Sequence, residues 1–341
     1  MYKHIPALLL LSVLISCNNH QDKKATKTSH PVIGRIERLD PALDAILSHE
    51  AKAEIIADSC IWSEGPLWIE KENMLLFSDV PTNTLFKWTE ANGKEIYLKP
   101  SGYTDSAPSV CKEPGSNGVL LDEQGILVLC QHGDRRMAKM NAPLSAPSPK
   151  FISLAGSYQG KRFSSPNDAA CNKEGEIFFT DPPYGLSTQD DNAPEKELPW
   201  NGVYKIRKDG RVVLLVDSIS RPNGIAFFPG GKKLIVACSD PVKPNWYVFD
   251  VAGDSLINGR IFYSAAGYDK KLQGLPDGLM IDKNGNVFAT GPGGLYVFNS
   301  EGTLLGKLLL ENPASNCALS PDQKTLYITN DMYVLRFRMR N

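Results

Sequence analysis

The stretch DGLMIDKNGNVFATGP, residues 277–292, decides the fold because its pattern recurs along the whole chain. An Asp-Gly pair opens the stretch, an apolar run follows, the turn DKNG at 282–285 interrupts it, and a second β-rich run ends in small residues. Gly, Asn and Asp tolerate the positive φ angles that hairpin turns need. The stretch therefore predicts two antiparallel strands joined by a tight turn.

Five other segments share this plan, so the chain contains six repeats. Their second runs are MLLFSD (74–79), ILVLCQ (126–131), IFFTDP (177–182), LIVACS (234–239), VFATGP (287–292) and LYITND (326–331). Consecutive runs lie about 40 to 57 residues apart, which leaves room for a four-stranded meander in most repeats. We therefore predict an all-β fold, a six-bladed β-propeller.

The N-terminal flank predicts how the propeller closes. The last repeat has room for only three strands, and residues 53–58, ahead of the first repeat, can supply its fourth strand. Before them, Asp40-Pro41 followed by Leu43, Ile46 and Leu47 predicts a short N-capped helix that packs on the outside. The expected organisation is an N-terminal helix over 36–52 and a propeller over 53–341.

The first residues predict export. An apolar run over 5–15 follows a basic N-terminus, is too short to span a bilayer and is typical of a signal peptide. It ends in LISC at 14–17, which resembles a bacterial lipobox, although a chance Cys after an ordinary signal is the alternative. We expect a lipoprotein signal peptide over 1–16, lipidation at Cys17 and a flexible polar tether over 17–35. The expected location is the bacterial cell envelope or periplasm.

The composition of the chain restricts the classes of partner that the protein is expected to bind. The net charge of the 341 residues is −1, which indicates neither a nucleic-acid-binding surface nor an acidic coat. No later segment is apolar enough to span a membrane, so we expect membrane contact through the lipid only, and a small molecule as the partner. Six cysteines remain besides Cys17, at wide spacing without a Cys-x-x-Cys, which argues against zinc and redox sites. Buried thiols are favoured, and disulfides stay open.

A side chain bearing an oxygen opens the innermost predicted strand of every repeat. These residues are Glu64, Asn117, Asn167, Asn223, Asp277 and Asn316. In a propeller such positions converge on the central axis, so six distant residues become neighbours at one channel mouth. Asn-Gly and Asp-Gly are also turn dipeptides, but three members of the set lack the following Gly or have a different pair.

Two carboxylates with several amide oxygens form a binding site for a hard cation, because such ligands suit oxygen-coordinated divalent ions. We expect one divalent cation, with Ca²⁺ favoured and Zn²⁺, Mg²⁺ or Mn²⁺ as alternatives. His132 is the one histidine in the predicted propeller body, which excludes a His-rich catalytic zinc site. The absence of a Gly-x-Ser-x-Gly motif leaves a serine nucleophile without support.

Four segments carry a resemblance to a known family. WSEGPLW (62–68), SSPNDAA (164–170), RPNGIAF (221–227) and LPDGLMID (275–282) resemble signature segments of the gluconolactonase and regucalcin family, in particular its exported bacterial branch. The resemblance implies a six-bladed propeller that binds one divalent cation and opens sugar lactones.

The resemblance also implies roles for single residues. Glu64, Asn223 and Asp277 match the metal ligands of the family, and Asn167 matches a residue beside the metal that touches substrate or water. The Asp277 position is the general base proposed for the family. Asn117 and Arg162 lie where members contact substrate, although Arg162 lies farther before Asn167 than the family pattern has it.

Other residues have two interpretations. His132, in QHGDRR, is a candidate substrate contact at the channel mouth or a loop hydrogen-bonding group. Asp181 could assist proton transfer or cap a rigid turn. Trp62 is expected in the interblade core rather than against a sugar ring. The acidic loop 185–200 is expected to be a solvated insertion beside the entrance.

Three functions remain open from the sequence. The first is a metal-dependent lactonase in which the cation polarises the carbonyl of a sugar lactone and Asp277 activates water. The second uses the same site for another ester or phosphoester hydrolysis, or for a lyase or isomerase step on a sugar acid. The third is a non-catalytic binding propeller with a structural ion.

Overall fold

Six antiparallel sheets of four or five strands form the body of the computed structural model, which describes residues 1–2 and 30–340. Each sheet follows one sequence repeat, and the strands of each repeat pair with their neighbours in chain order. The predicted six-bladed β-propeller is confirmed. The turns of the repeats are the Gly- and Asp-rich segments that the sequence marks, because those residues allow the chain to reverse.

The strands are numbered along the chain. The N-terminal segment contributes β1 (Val32–Ile33), β2 (Arg35–Arg38) and β3 (Lys52–Ala57). Blade 1 is β4 (Ser63–Ile69), β5 (Met74–Asp79), β6 (Thr84–Thr89) and β7 (Gly93–Leu98). Blade 2 is β8 (Ser116–Leu121), β9 (Leu127–Gln131), β10 (Arg136–Met140) and β11 (Phe151–Ala155), and it is followed by a hairpin of β12 (Ser157–Tyr158) and β13 (Lys161–Arg162).

The second half continues the pattern. Blade 3 is β14 (Ala169–Cys171), β15 (Ile177–Asp181), β16 (Gly202–Ile206) and β17 (Val212–Val216). Blade 4 is β18 (Pro222–Phe227), β19 (Lys233–Ser239), β20 (Pro244–Ala252) and β21 (Ser255–Ser264). Blade 5 has β22 (Leu279–Ile281), β23 (Val287–Gly291), β24 (Gly294–Phe298) and β25 (Leu304–Leu309). Blade 6 has β26 (Asn316–Leu319), β27 (Thr325–Asn330) and β28 (Tyr333–Arg338).

The N-terminal segment closes the ring as predicted. Strand β3 pairs antiparallel with β28, with Ala53 opposite Phe337 and Ile55 opposite Leu335, and so becomes the fourth strand of blade 6. Two further strands were not predicted. Strand β1 adds a fifth strand to blade 6 by pairing with β3, and β2 adds a fifth strand to blade 5 by pairing with β25.

The predicted helix over 36–52 is wrong in extent. The structure has a 3₁₀ helix over Pro41–Ala45, and residues up to Arg38 form β2 instead, because the edge of β25 offers them backbone partners. The N-cap prediction is right, since the side chain of Asp40 accepts a hydrogen bond of 2.8 Å from the amide of Ala42. A second 3₁₀ helix covers Glu70–Glu72. The tether predicted to end at residue 35 gives way to strand earlier, at β1.

Residues Met1–His30 form a unit separate from Pro31–Asn341. The structure describes residues 1, 2 and 30 of that first unit, so the predicted signal peptide, Cys17 and most of the tether lie outside the described residues. Within the described part of the chain, no helix has the length and apolar character needed to cross a membrane.

Aromatic side chains fill the spaces between neighbouring blades. Trp246 of blade 4 is fully buried against Tyr296 and Phe298 of blade 5, with ring centroids 5.6 and 5.7 Å apart. Trp68 of blade 1 stacks on Tyr327 of blade 6 at 5.1 Å. Such buried aromatic area supplies much of the interblade stability. The six cysteines of the described residues are free, and four of them are buried.

Candidate functional site at the channel mouth

Five of the six predicted ring residues line one cavity of about 440 Å³ at the centre of the blades. They are Glu64, Asn117, Asn167, Asn223 and Asp277. The pairing register of the inner strand shifts around three of them, between Glu64 and Leu67 in β4 and at the matching places in β8 and β18. Such bulges re-aim side chains, which brings sequence-distant residues to one site.

The glycines after the ring residues are required by close approach between blades. A Cβ atom on Gly118 would lie 2.8 Å from the carbonyl oxygen of Asn167, and one on Gly224 would lie 2.3 Å from that of Asp277. Neither glycine has a positive φ, so the Asn-Gly pairs do not mark left-handed turns here. Glycine lets adjacent inner strands converge near the axis, where a larger residue would force them apart.

Hydroxyl groups connect the ring residues to the neighbouring strands. Ser78 donates a hydrogen bond of 2.9 Å to the carbonyl of Asn117. The amide Nδ2 of Asn223 donates to Ser239 at 2.9 Å, and Ser239 donates in turn to the carbonyl of Pro276 at 2.6 Å. Because its nitrogen is engaged in this way, the side chain of Asn223 has its oxygen available for a ligand.

The sixth ring residue, Asn316, does not line the cavity. Its side-chain oxygen accepts a hydrogen bond of 2.8 Å from the amide of Cys317. The side chain of Asn316 packs against Gly278, because a Cβ atom on Gly278 would lie 2.0 Å from the carboxamide carbon of Asn316. The ring that faces the cavity therefore has five members.

The site concentrates buried negative charge. Burial raises the pKa of Glu64 to about 8, and the neighbouring Asp168 carboxylate adds to the shift. Burial, followed by repulsion from Glu64, raises the pKa of Asp277 well above its ordinary value. Two buried carboxylates that destabilise each other in this way are held in the ionised state only by a positive partner.

The donor atoms fit a hard divalent cation. Oδ1 of Asp277 and Oδ1 of Asn117 are buried without a hydrogen-bond partner in the described chain, which is costly unless a ligand satisfies them. The described residues contain no group of three or more His, Cys, Asp and Glu side chains that could hold a metal, so a cation at this site would also need amide oxygens as ligands. The carboxylates Glu64 and Asp277 would hold a cation together with the amides Asn223 and Asn167, an oxygen-only set.

The structure adds cavity residues that the sequence did not reveal. The same space is also lined by Glu113, Tyr184 and Ser239 and by the aromatic residues Trp62 and Tyr268. Placing Trp62 in the interblade core was wrong, because its indole nitrogen reaches Oε1 of Glu64 at 3.3 Å. Glu113 carries no repeat signal, since it lies in the connection between β7 and β8.

Two further carboxylates, Asp168 and Asp181, do not line the cavity. Asp168 accepts hydrogen bonds from the amides of Ala169 and Ile225, and burial raises its pKa to about 6. The carboxylate of Asp181 accepts hydrogen bonds of 2.9 and 2.7 Å from the backbone amides of Ser164 and Ser165, which matches the turn-capping interpretation.

His132 is fully buried and does not line the channel cavity. Its Nδ1 atom lies 3.9 Å from Oε2 of Glu113, and neither ring nitrogen has a hydrogen-bond partner in the described chain. Burial lowers the pKa of the imidazole to about 3, so the ring is neutral at physiological pH. The structure therefore places His132 behind a cavity residue rather than at the mouth.

Arg162 is not brought to the channel cavity either. It lies on the exposed strand β13 and lines a separate cavity of about 500 Å³ together with Arg135 and Arg136. Its guanidinium donates to the carbonyl of Asp134 at 3.2 Å. The hairpin of β12 and β13 lies outside the four-stranded repeat. The position of Arg162 in the repeat pattern therefore does not predict where its side chain lies.

The chain matches known proteins over most of its length. A family model described as SMP-30/Gluconolactonase/LRE-like region matches residues 62–331. A gluconolactonase from Zymomonas mobilis is 41% identical over 315 residues, which cover 90% of this chain and 87% of the relative. A regucalcin from Xenopus laevis is 24% identical over 281 residues, 81% of this chain and 85% of that protein.

Solved structures agree with the fold. The structure of a gluconolactonase from Xanthomonas campestris superposes with a TM-score of 0.77 at 29% identity, covering 92% of this chain and 99% of the other. A calcium-binding regucalcin from Agrobacterium tumefaciens has a TM-score of 0.62 at 15% identity, covering 91% and 96%. By its sequence match over the six blades, the chain belongs to the SMP-30/gluconolactonase/LRE-like family.

Proposed function

We propose that this protein is a hydrolase that opens a sugar lactone in the channel cavity. The observation that carries the proposal is the ring of five oxygen-bearing side chains around one cavity, in a chain 41% identical to a gluconolactonase. A space of about 440 Å³ accommodates a single sugar ring. The aromatic faces of Trp62 and Tyr268 would pack on that ring, and the amides of Asn117 and Asn167 would bind its hydroxyl groups.

A divalent cation is part of the proposal. Glu64, Asn223 and Asp277 would hold it, with Asn167 as a fourth ligand, because these four side chains line one space and carry carboxylate and amide oxygens. A cation bound there would polarise the lactone carbonyl and stabilise the negative charge that develops on its oxygen. Calcium is favoured by the oxygen-only donor set and by the fold shared with a calcium-binding regucalcin. Zn²⁺, Mg²⁺ and Mn²⁺ are the competing ions.

Asp277 is proposed as the general base. One carboxylate oxygen of Asp277 would bind the cation, and the second oxygen would take the proton of an attacking water. A lactone is an activated ester and needs less assistance than an amide, so modest activation of water is sufficient.

Proton release from a panel of aldonolactones tests these assignments. We expect wild-type protein to open at least one lactone, and we expect chelation and Asp277→Ala each to abolish most of the rate. Asp209→Ala, an exposed carboxylate on blade 3, is the matched control and should retain activity. If chelation and Asp277→Ala both leave the rate intact, the mechanism is wrong. If no lactone reacts but esters or sugar acids do, one of the alternative reactions takes its place.

The location is proposed on the N-terminal sequence alone. We propose that the protein is an exported lipoprotein held to a membrane of the bacterial cell envelope through Cys17. Cys17→Ala should abolish incorporation of radiolabelled palmitate and release the protein from the membrane fraction. Retention of both label and membrane association in that variant would contradict the anchor.

A further inference from the structure

Glu113 lines the channel cavity together with Glu64 and Asp277. It reaches the cavity from the connection between β7 and β8, not from the start of an inner strand. Its side chain is mostly buried, with 22% of its surface exposed. A mostly buried glutamate that lines a ligand cavity without belonging to its cation-binding ring is a candidate for proton transfer.

The backbone holds this residue in place. The segment that follows it is bonded on two sides, since the amide of Gly115 donates to the carbonyl of Val80 at 2.8 Å and the carbonyl of Pro114 accepts from Gly133 at 3.2 Å. The side chain is fixed as well, because Nε2 of Gln189 donates to Oε1 of Glu113 at 3.0 Å. Gln189 lies in the 185–200 insertion, so that loop contributes to the cavity through Glu113.

The surroundings of Glu113 favour its protonated form. Within the described chain, its partner at ion-pair distance is His132 at 3.9 Å, and that buried imidazole is neutral. Burial raises the pKa of Glu113 to about 7 and outweighs the hydrogen bond from Gln189 and the charge of Lys112, which both favour ionisation.

We propose that Glu113 is the general acid of lactone opening, an inference that rests on the proposed function. Water adds to the carbonyl carbon while Asp277 takes a proton from it. The bond between that carbon and the ring oxygen then breaks, and Glu113 gives its proton to the departing oxygen. The products are the hydroxy acid and ionised Glu113, and the proton held by Asp277 returns to Glu113 through solvent.

A comparison of leaving groups tests this role. An alkoxide leaves a sugar lactone and needs a proton, whereas the phenolate of an aryl lactone such as dihydrocoumarin leaves without one. We expect Glu113→Gln to lower kcat on glucono-δ-lactone on the order of 100-fold and kcat on dihydrocoumarin less than about threefold. Equal losses on both lactones, or no loss on either, would overturn the assignment.

Two controls separate a role in catalysis from a role in folding. Glu72→Gln replaces an exposed glutamate on the second 3₁₀ helix and should leave both rates unchanged. Glu113→Asp keeps a carboxyl group that can carry a proton, so it should retain more of the rate on glucono-δ-lactone than Glu113→Gln, and equal losses in these two variants count against the proposal. If wild-type protein opens neither lactone, the proposed function fails first; if only the leaving-group contrast is missing, Glu113 alone is misassigned.

Discussion

Gly224 lies directly against Asp277, so closely that a Cβ atom on Gly224 would come within 2.3 Å of the Asp277 carbonyl oxygen. Blade 4 and blade 5 thus meet backbone to backbone at the ring, next to two proposed cation ligands. The contact links the packing of the inner strands to the placement of the site.

Replacing this glycine should therefore damage the fold and the site together. We expect Gly224→Ala to lower the free energy of unfolding by about 1–3 kcal/mol, because the added methyl group forces the two inner strands apart. Gly156→Ala is the control, since its Cβ atom would meet Arg136 at an ordinary 3.8 Å and should cost less than about 0.5 kcal/mol. Chemical denaturation of both variants measures the difference, and equal stabilities would show that the close approach is unimportant.

Because Asn223 lines the cavity and Asn316 does not, replacing these two asparagines should have different effects on turnover. Asn223→Ala removes a proposed cation ligand and should lower turnover of the lactone substrate on the order of 100-fold. Asn316→Ala removes a hydrogen bond to the Cys317 amide away from the cavity, so it should cost about 1–2 kcal/mol of stability and leave turnover within a few-fold. Initial rates and thermal unfolding of both variants test this. A collapse of turnover in a folded Asn316→Ala protein would return Asn316 to the site.

Cation binding should release protons. Burial raises the pKa of Glu64 to about 8, so the cation-free carboxyl group is largely protonated at neutral pH and must lose its proton when a cation binds. Calorimetry in buffers of different ionisation enthalpy should detect this release at pH 7, and affinity for Ca²⁺ should rise from pH 6 to pH 8. Binding without proton release, at an affinity independent of pH, would be inconsistent with a protonated Glu64.

The same shift determines how stability depends on pH without a cation. The pKa of Glu64 is higher in the folded than in the unfolded chain, so the folded state binds the proton more tightly. Its contribution to stability is therefore present below about pH 5 and is lost as the pH rises towards 8. Glu64→Gln should flatten this loss in chelator-treated protein, and an unchanged pH profile of thermal unfolding would contradict it.

The closing strand should tolerate change on one side only. Ala53 is 1% exposed on β3 and packs in the core between blades 5 and 6, so Ala53→Asp buries a charge and should cost more than about 3 kcal/mol. Its exposed neighbour Lys52 provides the control, and Lys52→Asp should change stability by about 0.5 kcal/mol. Urea unfolding distinguishes the two, and similar midpoints would show that closure does not depend on this packing.

The sequence predicted the blades because each repeat carries its own turn residues and apolar runs, which are local signals. It predicted the ring because Asn117, Asn223 and Asp277 occupy equivalent places in their repeats. What it could not show is the direction of a side chain once the strand is paired. Asn316 matches the pattern, yet its side-chain oxygen accepts a hydrogen bond from the backbone amide of Cys317 and the residue does not line the cavity.

The sequence did not predict the positions of residues outside the repeat, for a related reason. Glu113 reaches the cavity from a connection, and Arg162 is carried away from it on a separate hairpin. The N-terminal helix was overextended because an isolated amphipathic pattern does not reveal that β25 has a free edge, to which Arg35–Arg38 pairs. Tertiary pairing decided each of these cases, and a single sequence contains no record of it.

The order in which the N-terminal segment pairs determines how the molecule responds to mechanical load. A pull applied at Pro31 would first peel β1 from β3, next shear β2 from β25, and then withdraw the buried Leu43 of the 3₁₀ helix. Only after those steps would tension reach β3, the strand that completes blade 6. The leading strands β1 and β2 would therefore detach first, and β3 and the ring of proposed cation ligands would keep their positions until then.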